Sequence, residues 1–180
     1  MIRLFDLLIS FLGLIILSPV LIFLFILGFF ENGSPLFFQR RIGCNQKIFT
    51  LIKFRTMRKE AKSIATHLVN NSMITPYGSF LRSTRLDETP QLLNVLIGDM
   101  SFVGPRPCLL NQKKLIIERK KRGVFKIKPG ITGLAQVSGI NMKTPTHLAK
   151  IDQKMIKNLN LYCYFYFILK TLVLILKLKK

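Results

Sequence analysis

The sequence predicts an α+β, predominantly helical chain in which one small mixed body lies between two apolar helices. Three observations lead there: an uncharged apolar run over 7–30, two short strand-like segments within 36–54, and apolar residues recurring at spacings of three and four further along. A length of 180 residues allows one core and a membrane appendage. Lys and Arg number 28 against 8 Asp and Glu, a net charge of +20, yet 49% of the residues are hydrophobic. That combination excludes a disordered chain and a collagen. It points to a membrane surface, a polyanionic ligand, or both. Cys44, Cys108 and Cys163 lie far apart with no CxxC, so neither a disulfide framework nor a zinc knuckle is signalled.

The run over 7–30 is long enough, at about 1.5 Å per residue, to cross roughly 30 Å of hydrocarbon. It is too long for a cleaved signal peptide and no small-x-small site follows it. Ser18-Pro19 sits at its middle, where proline removes one backbone donor, so a straight helix is not expected. Two geometries stay open: a kinked span, or two short helices that enter and leave by the same face. Arg40, Arg41, Lys47, Lys53, Arg55, Arg58 and Lys59 follow the run closely and only Arg3 precedes it, which assigns the body to the cytoplasmic side.

Residues 36–42 and 47–54, separated by Gly43-Cys44-Asn45-Gln46, predict a hairpin. Residues 57–70 place Ala61, Ile64, Ala65 and Leu68 on one helical stripe. Thr144-Pro145 reads as a helix start, followed by Leu148, Ile151, Met155 and Leu159 at helical spacing. Residues 159–176 are again apolar but carry Asn160, Lys170 and Thr171 and end in a basic tail, so a helix in the membrane interface or packed on the body is expected rather than a second span. His67 and His147 fall on helical segments and read as surface or capping residues.

Glycines, prolines, arginines and carboxylates concentrate over 75–107. Asp87-Glu88 is the only adjacent carboxylate pair in the chain, and Thr89-Pro90 after it reads as a helix start, with Leu92, Leu93 and Leu96 as the stripe and Gly98 as the stop. Carboxylates there also have a plain explanation, since they complement the helix dipole. Arg82 and Arg85 on one side and Pro105-Arg106-Pro107 on the other add guanidinium groups suited to phosphate. Two carboxylates amid cations can hold Mg²⁺ together with substrate phosphates, so a diphosphate substrate follows. No GxxxxGK, GxGxxG, HExxH or GxSxG is present.

Arg3-Leu4-Phe5-Asp6, Ser18-Pro19, Gln39-Arg40-Arg41-Ile42-Gly43, Lys53-Phe54-Arg55-Thr56-Met57, Leu86-Asp87-Glu88-Thr89-Pro90-Gln91, Gly98-Asp99-Met100-Ser101, Val103-Gly104-Pro105-Arg106-Pro107 and the run from Lys128 to Val137 occur in that order. Taken together they resemble the bacterial sugar transferase family, the monotopic polyprenyl-phosphate phosphoglycosyl transferases, in their small minimal form. The resemblance implies transfer of a sugar-1-phosphate from a nucleotide sugar, usually a UDP-sugar, to polyprenyl phosphate, with release of UMP and a requirement for Mg²⁺. It implies that Asp87 attacks the sugar-bearing phosphate to form a covalent phosphosugar, and that Glu88 assists metal binding or orientation. Lys53, Arg82 and Arg106 match the family's basic positions, with Arg55 and Gln136 as further substrate-binding residues.

The resemblance also makes the proline-broken helix re-entrant. The expected organisation is then a re-entrant membrane helix over 1–31, a cytoplasmic α/β catalytic domain over 32–158 and a C-terminal interfacial helix with a basic tail over 159–180. The implied location is the cytoplasmic face of the bacterial inner membrane, with the bilayer and the two substrates as partners and no nucleic acid, while whether a second copy joins as a homodimer stays open. Two positions depart from the pattern: Ile140 stands where arginine is common, and Tyr164 where aspartate is usual, while Asp152 and Lys170-Thr171 fit.

Overall fold

The computed structural model describes residues 1–58 and 73–177. Helix α1 spans Ile2–Asn32 and stops at Gly33, whose φ of 61° lets the chain turn away. Among the described residues it is the one helix long and apolar enough to cross a membrane. α1 stays helical on both sides of Ser18-Pro19, so of the two geometries expected there the division into two separate short helices is not seen. Proline cannot donate to the Ile15 carbonyl four residues back, and the Ser18 hydroxyl donates to that oxygen at 2.7 Å instead. The unmet acceptor that would open the helix is thereby filled.

Both ends of α1 are docked on the body. At the start, Arg3 donates to the carbonyls of Val95 (2.6 Å) and Leu96 (2.8 Å). Asp6 is buried, and its Oδ1 accepts from Ser101 Oγ, the Phe102 amide and the Tyr164 hydroxyl. Near the end, Leu24 packs with Phe54 and Leu81, Tyr77 donates to the Leu24 carbonyl, and Thr75 donates to Glu31. Between these anchors Phe11, Leu12, Ile15, Ile16, Ile22 and Phe23 stay exposed.

Strands β1 (Leu36–Ile42) and β2 (Ile48–Phe54) form the expected antiparallel hairpin, in register from Leu36 opposite Phe54 to Ile42 opposite Ile48. Its turn is a short 3-10 segment in which Asn45 and Gln46 have positive φ. The stripe over 57–70 lies outside the described residues apart from Met57 and Arg58, of which Met57 bridges to Ile74. Helix α2 (Pro76–Thr84) is capped by Thr75, which accepts from the Gly78 amide. Helix α3 (Gln91–Ile97) ends at Gly98 with φ of 100°, as the stop signal predicts.

The carboxylate pair lies in a 3-10 turn, Leu86–Glu88, ahead of α3 rather than in its first turn. Asn94 clips α3 to the open edge of β2, accepting from the Ile52 amide and donating to the Thr50 carbonyl. Unpaired strand-edge groups are thereby used inside the fold.

Strand β3 (Ser101–Val103) pairs in parallel with β5 (Gly130–Thr132), and β4 (Cys108–Leu109) extends the hairpin sheet to the order β2-β1-β4. Helices α4 (Lys113–Lys121), α5 (Leu134–Val137) and α6 (Pro145–Lys157) complete the body. Thr144 occupies the N-cap of α6 as read, but its side chain makes no capping bond, and Leu159 falls beyond the helix end.

Helix α7 (Leu161–Lys177) packs Tyr164 and Phe167 into the body, and Thr171 meets Thr132. Tyr162, Leu169, Leu172, Val173 and Leu176 stay exposed. Asn160, read as an interruption, accepts from the Cys163 amide and starts this helix.

A Cβ built on Gly130 would lie 2.0 Å from the Gly104 amide nitrogen, so the two backbones meet where only glycine fits. Gly130→Ala is expected to lower the Tm by roughly 5 °C or more. Thermal unfolding of the purified protein in detergent checks this, and an unchanged Tm would contradict the packing.

Candidate active site

Four segments deliver charged side chains to one place. Helix α2 lies against the Thr56 backbone, where a Cβ on Gly78 would come within 2.0 Å of the Thr56 carbonyl oxygen, and Arg82 one turn later donates to Thr56 Oγ1 at 2.9 Å. Arg85, at φ 60°, turns the chain sharply out of α2 and into the Leu86–Glu88 turn. A non-glycine residue in that left-handed region marks a strained turn held by its surroundings. Lys53 arrives from β2, and Arg106 from the Gly104-Pro105-Arg106-Pro107 turn.

That turn is held with unusual completeness. The Gly104 carbonyl accepts from Gln136 Nε2 (3.1 Å), Pro105 from the Gly130 amide (3.0 Å), Arg106 from Arg119 Nη1 (2.8 Å) and Pro107 from Arg41 Nη1 (2.9 Å). Four successive carbonyls are thus met by donors from α5, β5, α4 and β1. Two prolines limit φ on either side of Arg106. Its side chain is therefore presented from a stiff backbone.

Arg106 Nη2 lies 2.5 Å from Glu88 Oε1, with Glu88 13% and Arg106 40% exposed. Burial pushes the Glu88 carboxyl up, but the Arg106 charge and hydrogen bond, with Arg85 and Lys53, outweigh it and hold the group below its ordinary value. Asp87 behaves oppositely. It is 8% exposed, and burial together with the adjacent Glu88 charge raises it to about 6 against the pull of Lys53, Arg106 and Arg82. No described residue donates a hydrogen bond to its carboxylate. The two neighbours thus take different environments, one paired and one open.

Burial likewise lowers Lys53 to about 8, with Asp87 opposing and Arg106 and Arg41 adding to the shift. Arg41 falls to about 10, through burial and then the Arg106 charge. Arg41, Lys53 and Arg106 line a cleft with Leu51, Gln91, Pro107 and Gly130. Crowded, desolvated cations of this kind are stabilised by an anion placed among them. No group of three or more metal-ligating side chains occurs among the described residues. Asp87 and Glu88 alone fit a Mg²⁺ ion that takes its remaining ligands from water and phosphate.

Of the residues singled out from sequence, Asp87, Glu88, Lys53, Arg82 and Arg106 come together. Arg55 does not join the charges that act on Asp87; it donates to the Ser34 and Leu36 carbonyls and lies over the Phe37 ring, securing the start of β1. Gln136 holds the backbone of the arginine turn. Ser18 and Pro19 lie in the exposed middle of α1. Ile140 packs beside Cys108, Leu115, Ala135 and Leu148, and Tyr164 bonds Asp6, so both departures serve internal packing.

Sequence reading missed Arg41, Gln39 and Arg119 as parts of the site. Gln39 Oε1 accepts from Arg41 Nε and Nη2, and both residues are buried on the inner face of β1. Polar residues two apart on a strand face that must be buried were the available signal.

The model of the family described as bacterial sugar transferase matches residues 1–178. The chain is 35% identical to an uncharacterized sugar transferase of Haemophilus influenzae, covering 97% of this chain and 40% of that protein. It is 34% identical to the exopolysaccharide production protein ExoY of Sinorhizobium fredii, over 94% of this chain and 83% of ExoY. It is also 34% identical to the undecaprenyl-phosphate galactose phosphotransferase of Salmonella typhimurium, over 97% of this chain and 40% of that enzyme. The chain thus spans about two fifths of the Haemophilus and Salmonella proteins.

Asp87 yields a pH prediction. Its folded-state value of about 6 lies above the ordinary 3.8, so the folded protein binds more protons than the unfolded chain between the two, and this group weakens the fold as pH rises through that window. In metal-free buffer Asp87→Asn is expected to stabilise the protein by roughly 1–3 kcal/mol at neutral pH and hardly at all near pH 4. Denaturant unfolding at both pH values checks this, and an equal shift at each would contradict it.

Proposed function

The chain belongs to the bacterial sugar transferase family, and on that premise we propose that it moves a sugar-1-phosphate from a nucleotide sugar, a UDP-sugar first, to polyprenyl phosphate. The observation that carries this reading is Asp87, a buried carboxylate that no described residue meets with a hydrogen-bond donor, close to Arg106 and to the desolvated cations Lys53 and Arg41. A carboxylate left open in this way is a nucleophile toward phosphorus. The name of the Salmonella relative, an undecaprenyl-phosphate galactose phosphotransferase, supports the same acceptor class here.

In this mechanism the donor's diphosphate enters the cleft among Arg41, Lys53 and Arg106, with Arg82 adding its charge near Asp87. An Asp87 oxygen attacks the sugar-bearing phosphorus, and the bond from that phosphorus to the bridging oxygen breaks. UMP leaves with the electron pair, and Asp87 carries the phosphosugar. An oxygen of the lipid phosphate then attacks the same phosphorus, the bond to Asp87 breaks, and the free carboxylate returns with a polyprenyl diphosphosugar as product. Arg106, oriented by Glu88 and by its clamped backbone, receives the charge that develops on the phosphoryl oxygens. Asp87 and Glu88 are the residues that would hold Mg²⁺, which when bound neutralises phosphate charge and eases departure of the nucleotide.

The same reading makes α1 re-entrant, with the body on the cytoplasmic face of the bacterial inner membrane. Arg3 and Asp6 at one end and Leu24 and Glu31 at the other touch one body, while the apolar middle is exposed. On this reading α1 bends at Pro19, so that a helix whose two ends share a face enters the bilayer and leaves by the same side. The exposed side of α7 then lies in the interface, with the basic residues nearby drawn to anionic headgroups.

Two measurements test these readings. In nanodiscs holding polyprenyl phosphate, one member of a UDP-sugar panel is expected to release UMP only with Mg²⁺ present, and Asp87→Asn to lower turnover by roughly 10³-fold or more while UDP binding changes little. Normal turnover by Asp87→Asn would remove the nucleophile. In a background with Cys44 and Cys163 replaced by serine, single cysteines at Met1 and Glu31 are expected to react with an impermeant maleimide from the same side of sealed vesicles. Labelling from opposite sides would establish a span.

A further inference from the structure

Arg119 and Asp152 form an ion pair sealed inside the body, with side chains 2% and 1% exposed. Arg119 comes from α4 and Asp152 from α6. One edge of the guanidinium grips the aspartate: Nε donates to Oδ2 at 3.0 Å, and Nη2 lies 2.8 Å from the same oxygen. The remaining nitrogen, Nη1, donates at 2.8 Å to the backbone carbonyl of Arg106. A single planar group therefore joins two helices to the residue whose own side chain holds Glu88.

Buried ion pairs contribute little stability compared with apolar residues of similar volume, because desolvation offsets most of their attraction. Stability alone therefore gives this pair little reason to be charged. Its geometry supplies one, since the five donors of guanidinium lie in a fixed plane and can serve two acceptors in set directions. An ammonium on a lysine stem has no second edge.

We propose that the Arg119–Asp152 pair is a positioning device for Arg106, setting the backbone from which that arginine reaches Glu88 and a bound phosphate. Its catalytic consequence rests on the transfer reaction proposed above; its structural consequence does not. Asp152 orients Arg119, Arg119 orients the Arg106 carbonyl, and neither touches substrate.

The test is the double variant Arg119→Met/Asp152→Leu, which replaces the pair with apolar residues and removes the donor to the Arg106 carbonyl. Its Tm is expected to stay within a few degrees of the parent's, while kcat for UMP release falls by about tenfold or more with a smaller change in KM. The side-chain ¹⁵N signals of Arg106, assigned by their loss in Arg106→Lys, are expected to shift and to exchange faster with water as the contact to Glu88 loosens. Should the double variant not fold, Arg119→Lys, which keeps the opposite charges but not the second edge, is read the same way. Unchanged Arg106 signals in the folded variant overturn the proposal, whatever the turnover. If the parent releases no UMP from any donor, the transfer reaction fails, and the Arg106 signals still decide whether the pair positions that arginine.

Discussion

A guanidinium and a carboxylate at the start of an otherwise apolar helix fix that helix against the elements that carry the candidate site. Arg3 caps the carbonyl end of α3, and Asp6 collects three donors from β3 and α7 on one oxygen. A buried carboxylate without those donors would be strongly unfavourable, so α1 cannot slide or rotate without leaving it unmet. α3 follows directly from the Asp87-Glu88 turn, and β3 leads into the arginine turn. Anchoring α1 to these elements therefore holds both halves of the site at one depth relative to the apolar helix.

The site itself is an arrangement of charge that the fold tolerates. Three cations share a cleft, and Asp87 is raised by burial while Glu88 is held ionised by Arg106. An anionic ligand relieves the repulsion among the cations and compensates their desolvation. Binding energy is thus available to a diphosphate that a neutral molecule could not obtain. The same imbalance makes the site a weak point in stability, a common relation between reactive sites and the folds that carry them.

Stiffness has a separate origin. Successive carbonyls of the Gly-Pro-Arg-Pro turn are each bonded from a different element, and Gly104 and Gly130 bring β3 and β5 so close that no side chain fits between them. A loop held at every residue would cost little further entropy on meeting an anionic ligand. Electrostatic stabilisation of a phosphoryl group depends on donors that need not reorganise as charge develops.

Local pattern alone determined much of this protein. Aromatic and β-branched residues marked both hairpin strands, helical spacing and Pro145 marked α6, Gly98 marked the end of α3, and the crowding of charge around Asp87-Glu88 marked the candidate site. Each of these rests on neighbours within one or two turns, where backbone hydrogen bonding and side-chain period leave a readable trace. Only the tertiary structure decided which distant cations meet. Arg41 and Arg55 both flank strand residues, yet one enters the cleft and the other secures a strand end. Ser18 mends the gap that Pro19 leaves in α1, Tyr164 and Asp6 meet across nearly the whole chain, and Gln136 serves a backbone turn. Their roles depend on separations of a few ångströms between residues far apart in sequence. Charge and hydrogen-bond energies vary steeply over that range, while the order of residues along the chain does not encode it directly.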